Sequence, residues 1–407
     1  MRHPLHCRPP RVWAEVIVPF MKSLSLLFLA LLWAGPLQAQ QPTEKQLATW
    51  LKRFPAADAN KDGKLSLEEA RAFQKQRQAQ QRRQGGAPHN FEVDPGWAKA
   101  PAFPKHALMY KSAAELKELA SIRSFPKTKG VLRVVGTGHS FMMPGYRTLP
   151  AICKAAGFEQ PLHLHTGGGI TGSTRYKWEQ ENGIFQFDKR PRPVLLPSIA
   201  NAKWEAMMWG PYFNDQPAYY LCWMDFCLKY NPGMKFYLSD AWPQLYQLGA
   251  QTPKSEKALT AQVWQRLGKQ KNVQSKQLVD LLNKKHPGTV FIMPTSDAMV
   301  LAAEHYLRGK LPGVQGLHKS VGGKDRSLWR DRLGHLGPGF DRLEGYVFYA
   351  TLYGRSPELI EGDIAFGGDK EFPSRALDRT FRKIAWQAVI NHPLSGVKDK
   401  DGNGVGD

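Results

Sequence analysis

Cysteine is scarce in this chain: Cys7, Cys153, Cys222 and Cys227 are the only four in 407 residues. None has the CxxC or Cys/His spacing of a zinc site. Removal of the leader described below leaves three, and an odd count argues against a disulfide framework. Cys222 and Cys227 lie five apart in an apparent helix, so their side chains diverge and no bond between them is expected. All three read as small buried hydrophobes. Long apolar runs are also missing. The longest, Leu24 to Ala34, is too short to span a bilayer, which excludes a transmembrane segment in the mature chain. Acidic residues are outnumbered, 35 against 56 basic ones, for a net charge of +21. Such a field attracts anionic polysaccharide, anionic lipid or nucleic acid. Dispersed lysines that keep an exported protein soluble explain it too. With no nucleic-acid motif in the sequence, no nucleic-acid partner is expected.

What is present begins with that leader. From Met21 the chain runs MKSLSLLFLALLWAGPLQAQ: a lysine, an apolar stretch, then Leu37-Gln38-Ala39. These are the n-region, h-region and small-residue cleavage site of a secretory signal, cut after Ala39. Residues 1–20 read as the product of an upstream start codon. The expectation is an exported protein, periplasmic or extracellular, with a net charge of about +18 once four basic residues and one acidic residue are removed.

Residues 40–85 form a small helical unit. Leu47, Trp50, Leu51 and Phe54 fall at helical spacing. The stretch Asp58 to Glu69 then matches the twelve-residue EF-hand loop. Asp58, Asn60 and Asp62 supply side-chain oxygens and Gly63 permits the sharp turn. Lys64 offers its carbonyl, Ser66 a hydroxyl or a held water, and Glu69 a bidentate carboxylate. An Asp/Asn-rich turn would have to produce Gly63, Leu65 and Glu69 by coincidence, so calcium is the expected cofactor. A second helix follows, with Ala70, Phe73 and Gln76 on one face. Residues 86–104, after a polar basic tract, read as a linker. The tail, 396–407, places Asp399, Asp401, Asn403 and Gly404 as in the first half of another calcium loop. It lacks the closing glutamate, and a solvated acidic terminus explains it nearly as well.

Residues 105–395 alternate between strand and helix. Strands are expected at 131–135, 161–165, 206–209, 235–238 and 289–293. Helices are expected at 112–121, 146–156, 217–230, 255–285, 298–308 with Asp297 as cap, 343–352 and 378–390. Such alternation predicts an α/β fold with a parallel, doubly wound sheet.

The stretch VLRVVGTGHSF, 131–141, is a buried strand running into Gly136-Thr137-Gly138, read as a turn that delivers Ser140. Open sheets place their sites just past the carboxyl ends of strands, so Ser140 is the candidate nucleophile. After the second strand comes the glycine-rich 166–174, whose backbone amides suit an oxyanion. After the third comes Phe213-Asn214-Asp215, with a side-chain amide as a further donor. Far downstream, Asp331 and His335 lie in a glycine-rich loop before a helix, the histidine as base and the aspartate to orient it. Each has a plainer reading: a turn serine, a structural histidine, a turn asparagine ahead of Pro217.

Ser, Gly, Asn and His in that order, on loops after successive strands, resembles the SGNH (GDSL-type) hydrolase superfamily over 131–357. The resemblance implies a flavodoxin-like three-layer α/β/α sandwich and a serine esterase, often one that removes acetyl groups from sugars. It places Ser140 as nucleophile, Gly172 and Asn214 as oxyanion donors, and Asp331 and His335 as the final pair. Two departures stand out. His139 replaces the Asp of GDS, and three residues rather than two separate Asp331 from His335. Trp178, Trp204, Trp209, Tyr212 and Trp242 are candidates to stack on sugar rings, though large aromatics more often belong to cores. The rival classes are a non-catalytic carbohydrate-binding protein on the same fold and a calcium-dependent cell-surface protein.

Overall fold

The computed structural model describes residues 44–73, 127–166, 172–173, 175–176, 195–211, 217–251, 253–366 and 371–407. The leader, the linker, the expected helix at 112–121, Asn214, Trp178 and Tyr212 lie outside the described residues. The chain divides into two compact units, Met1–Arg83 and Gln84–Asp407.

In the N-terminal unit, helix α1 (Glu44–Arg53) is followed by a 3-10 turn at Pro55–Ala57, the Asp58–Glu69 loop and helical residues 67–73. Trp50 in α1 and Phe54, just past its end, both pack on Phe73, which meets Trp50 edge to face. Ala57, Leu65 and Ala70 complete this small core.

The second unit is built on five parallel strands: β1 (Val134–Gly138), β2 (Leu162–Thr166), β3 (Ala206–Trp209), β4 (Lys235–Ser239) and β5 (Val290–Met293). Their order is β2-β1-β3-β4-β5. Successive side chains alternate between two cores. Val134, Ala206 and Met208 join one; Val135, Met207 and Trp209 join the other. A sheet buried on both faces needs apolar residues at consecutive positions, which is why these strands read as continuous rather than alternating runs. Helices α2 (Met143–Ala155), α6 (Thr295–Leu307), α7 (Phe340–Tyr353) and α8 (Arg375–Asn391) cover the first face. Helices α3 (Leu195–Asn201) and α4 (Pro217–Tyr230) cover the second. The long α5 (Ala261–Lys285) contributes Trp264 and Leu267 to one core and Leu278, Val279 and Leu282 to the other. The result is a three-layer α/β/α sandwich. The order reverses between β1 and β3, and that switch point is where such sheets bind ligands.

Three expectations need correction. The first strand runs to Gly138, not 135: Gly136, Thr137 and Gly138 pair with Leu164, His165 and Thr166, so they belong to the ladder and not to a turn. The glycines answer a packing demand, since a Cβ on Gly136 would stand 2.8 Å from the Tyr146 hydroxyl. Asp297 lies inside the first turn of α6, whose cap is Pro294. A second, two-stranded parallel sheet, β6 (Gly316–His318) with β7 (Ser327–Trp329), was not expected. Three-residue strands carry too little pattern to be read alone.

Cys153, Cys222 and Cys227 are buried. Burial pushes the Cys222 thiol up to about 11, which fits inert small hydrophobes. Trp204, Trp209 and Trp242 are core residues, at most 4% exposed, and present no platform to solvent. Among the described residues, no helix is long and apolar enough to cross a membrane.

Candidate active site

Ser140 stands two residues beyond β1, exposed, at the switch point. His335 arrives from the loop after β7, 195 residues later, and its Nε2 lies 2.9 Å from Ser140 Oγ. Its Nδ1 lies 2.8 Å from one carboxylate oxygen of Asp331 and 3.1 Å from the other. A carboxylate only accepts, so Nδ1 carries the proton, Nε2 is the free acceptor of the neutral ring, and the serine hydroxyl donates to it. Burial alone would raise the Asp331 pKa, but hydrogen bonds from the His335 backbone and ring and from Arg330 outweigh it and hold the carboxyl below its ordinary value. Asp331 stays ionised and fixes the histidine tautomer.

The four-residue Asp–His spacing works because the chain folds back on itself. Gly334 N donates to the Asp331 carbonyl at 2.9 Å, and Gly334 adopts a φ of +89° that a side chain would resist. The same carboxylate accepts from the Gly334 and His335 amides at 3.1 and 3.2 Å. Arg330 N in turn donates to the His335 carbonyl at 2.8 Å. Support comes from beneath as well. Phe141 lies between Trp242, at 4.9 Å, and the His335 ring, which it meets edge-on at 5.2 Å. Trp242 Nε1 donates to the Gly334 carbonyl. No sequence signal marks Phe141 or Trp242 for this role, because nothing local shows which aromatic meets the histidine.

The other candidates are placed less fully. Gly172 lies after β2, buried, with a φ of +56°. Asn214, as noted, is outside the described residues. Among the described residues, then, the structure brings together Ser140, Asp331 and His335.

The same unit also holds buried ionisable groups. Asp240, just past β4, accepts from Ser296 N at 2.8 Å and the Thr295 hydroxyl at 3.0 Å, and burial drives its pKa well up. Lys271 on α5 is pushed down to about 7 by burial, with Asp240 opposing. His318, on β6 and 1% exposed, is lowered to about 4 by burial against the pull of Asp331. That folded value lies below the unfolded one of about 6.5. Between the two the unfolded chain binds more protons, so stability present above about pH 6.5 is lost as pH falls through 4. The urea midpoint is expected to drop over this window. His318→Asn, which keeps an acceptor for the Ser320 amide but cannot titrate, is expected to flatten the drop. A slope unchanged in that variant would contradict the assignment.

The Asp58–Glu69 loop of the N-terminal unit is also folded. Asp58 accepts from Asp62 N at 3.2 Å and Gly63 N at 2.9 Å, and Asp62 accepts from Lys64 N at 2.8 Å. Glu69 closes the loop, accepting from the amides of Ala59 and Asn60 and from the amide and hydroxyl of Ser66. Gly63 has a φ of +79°. Only three of the six positions are carboxylates, and among the described residues no group of three or more His, Cys, Asp or Glu is poised to hold a metal. The tail repeats part of the pattern: Gly404 N donates to Asp399, and Val405 N to Asn403. It is not a loose end, since Ser356 N donates to the Gly404 carbonyl and Gly406 N to the Gly354 carbonyl, both at 2.7 Å.

No protein-family profile and no curated protein matches the chain. A search of solved structures finds a DUF4886 family protein from Bacteroides uniformis, with a TM-score of 0.44 and 12% identity, covering 64% of this chain and 95% of that one.

Proposed function

We propose that this chain is an exported serine esterase of SGNH type. The observation that carries the proposal is the continuous Asp331–His335–Ser140 relay at the switch point of the sheet. The chemistry follows from its parts. His335 takes the Ser140 proton as the oxygen attacks an ester carbonyl, and Asp331 stabilises the imidazolium. The Ser140 and Gly172 amides and the Asn214 side chain receive the developing oxyanion. His335 then protonates the departing alcohol; in the second half the same ring takes a proton from water as it attacks the acyl carbonyl and returns it to Ser140 Oγ as the acid leaves. The histidine ends as it began. The substrate class is a carboxylic ester, with acetylated polysaccharide the favoured carrier. Hydrolysis of p-nitrophenyl acetate by the wild type, set against Ser140→Ala, tests the reading; equal rates would sink it.

We further propose that the Asp58–Glu69 loop holds calcium. The fit rests on its donor set: Asp58, Asn60, Asp62, the Lys64 carbonyl, Ser66 and Glu69 are all hard oxygens on a loop already turned at Gly63. A bound ion there would brace α1 against residues 67–73. Extracellular modules of this kind bind with a Kd of about 10⁻⁴–10⁻³ M. Calcium at ten times Kd is expected to stabilise the unit by about 1.4 kcal/mol. Titration calorimetry should give one site in the wild type and none in Asp58→Ala. Heat that is identical in both proteins would refute the site.

A further inference from the structure

In the proposed mechanism the side chain before the nucleophile has no part, yet its imidazole is among the most tightly held groups near the site. His139 is 8% exposed. Its Nε2 lies 2.7 Å from the Pro211 carbonyl, in the loop after β3, and its Nδ1 lies 3.3 Å from Phe141 N. A carbonyl can only accept and an amide N–H can only donate. The two contacts therefore fix the ring as the neutral Nε2–H tautomer, one nitrogen giving and the other taking. The geometry that permits this is close. Gly138 and Gly210 back onto each other, so a Cβ on Gly210 would stand 3.2 Å from Gly138 Cα and 2.4 Å from Met142 Sδ. Two glycines bring the ends of β1 and β3 near enough for one imidazole to bridge them.

We infer that His139 is a positioning residue, a neutral imidazole strut that ties the Ser140 turn to the β3 loop and sets the angle of the nucleophile. It acts through its neighbours. The Phe141 amide it holds follows Ser140 directly, and the Phe141 ring packs against His335. Loosening one end of the strut therefore shifts both nucleophile and base. The strut requires a ring without charge, because a second proton would turn Nδ1 into a donor facing the Phe141 N–H. Burial lowers its pKa to about 4 against the pull of the Pro211 carbonyl, and the titratable groups facing it, Lys271 from α5 and His335 from the loop after β7, add to the lowering when protonated. An aspartate at this position would supply acceptors only, so the Pro211 carbonyl would lose its donor.

The inference rests on the esterase reading for its catalytic readout, so the experiment has two arms. In the first, kcat and KM for p-nitrophenyl acetate are measured for His139→Ala, His139→Gln and His139→Asn, each checked for folding by near-UV circular dichroism. The alanine variant is expected to lose kcat by about 10²-fold with KM nearly unchanged, as befits a misplacement of the order of 1 Å. Gln, whose amide reaches towards Pro211, and Asn, whose oxygen can take the Phe141 proton, should each recover at least about tenfold over alanine. A folded alanine variant with wild-type kcat, or no recovery in either amide variant, overturns the inference. In the second arm, ¹⁵N NMR of the wild type reads the His139 tautomer whether or not the protein turns over an ester. Protonated Nε2 with bare Nδ1, persisting below pH 6, is expected. The Nδ1–H tautomer, or a ring protonated at pH 6, overturns the strut independently of the esterase reading. Loss of all wild-type hydrolysis would instead defeat the esterase reading and leave this arm to judge His139.

Discussion

Ser140→Ala is expected to cut kcat for p-nitrophenyl acetate by roughly 10⁵–10⁶-fold, while leaving the melting temperature within a degree or so. The first half follows from the relay. The hydroxyl is the only member that forms a bond to the substrate, and a methyl group offers no alternative. The second half follows from place: Ser140 is exposed and lies outside both apolar cores. Asp331→Asn should cost about 10⁴-fold, because an amide at that point can stabilise the wrong tautomer of His335. The two losses should not add when combined, since serine, histidine and aspartate act as a unit. Rates within tenfold of wild type in Ser140→Ala, measured with protein purified free of host esterases, would remove the hydrolase from consideration.

Among the described glycines, Gly337→Ala is expected to be the most damaging single methyl group. Gly337 lies two residues past His335, and its amide donates to the Leu328 carbonyl of β7 at 2.7 Å. The adjacent Leu336 forms a bridge to Trp329. A Cβ at Gly337 would fall 1.7 Å from the Ser327 carbonyl oxygen and 2.9 Å from its carbon. Those are backbone atoms of a strand and have no rotamer to change. The loop must lift off β7, breaking the Leu328 bond and withdrawing the histidine. A cost of about 3 kcal/mol is expected, the upper part of the overpacking range. At about 2.1 cal/mol/K of unfolding entropy per residue, that corresponds to roughly 4–5 °C in a unit running from Gln84 to Asp407. Activity should fall further than stability, even at temperatures where the variant is folded. Gly288→Ala is the comparison: nothing lies within 4 Å of its Cβ, so its methyl meets only the backbone strain of a positive φ, +64°, which Gly337 does not have, and a smaller cost is expected. A Gly337→Ala protein with wild-type stability would show that the loop is far looser than these distances imply.

Much of this architecture was legible because fully buried strands leave a strong mark. Ala206–Trp209 and Pro217–Tyr230 fall where expected to the residue, since a short apolar run and a long helix between turn residues have few competing readings. The first strand was misplaced for a reason rooted in its own residues. Gly136 and Gly138 look like turn formers, whereas here they clear space for Tyr146 and Met142. The serine and histidine of the site could be named from their loops. The four-residue Asp–His spacing looked like a departure because a sequence does not display the fold-back that Gly334 makes possible. The bridge from His139 to Pro211 spans 72 residues and is invisible to any local pattern.

The long separation of Ser140 from His335 has a consequence for how the protein is made. The sheet's last strand ends at Met293, so a nascent chain can close all five strands while the base is still unsynthesised. Until the β7 loop has emerged and packed against Trp242, the serine hydroxyl lacks the acceptor it meets in the folded protein, His335 Nε2. On the proposed esterase reading, the catalytic pair is thus completed only by chain that follows the whole five-stranded sheet.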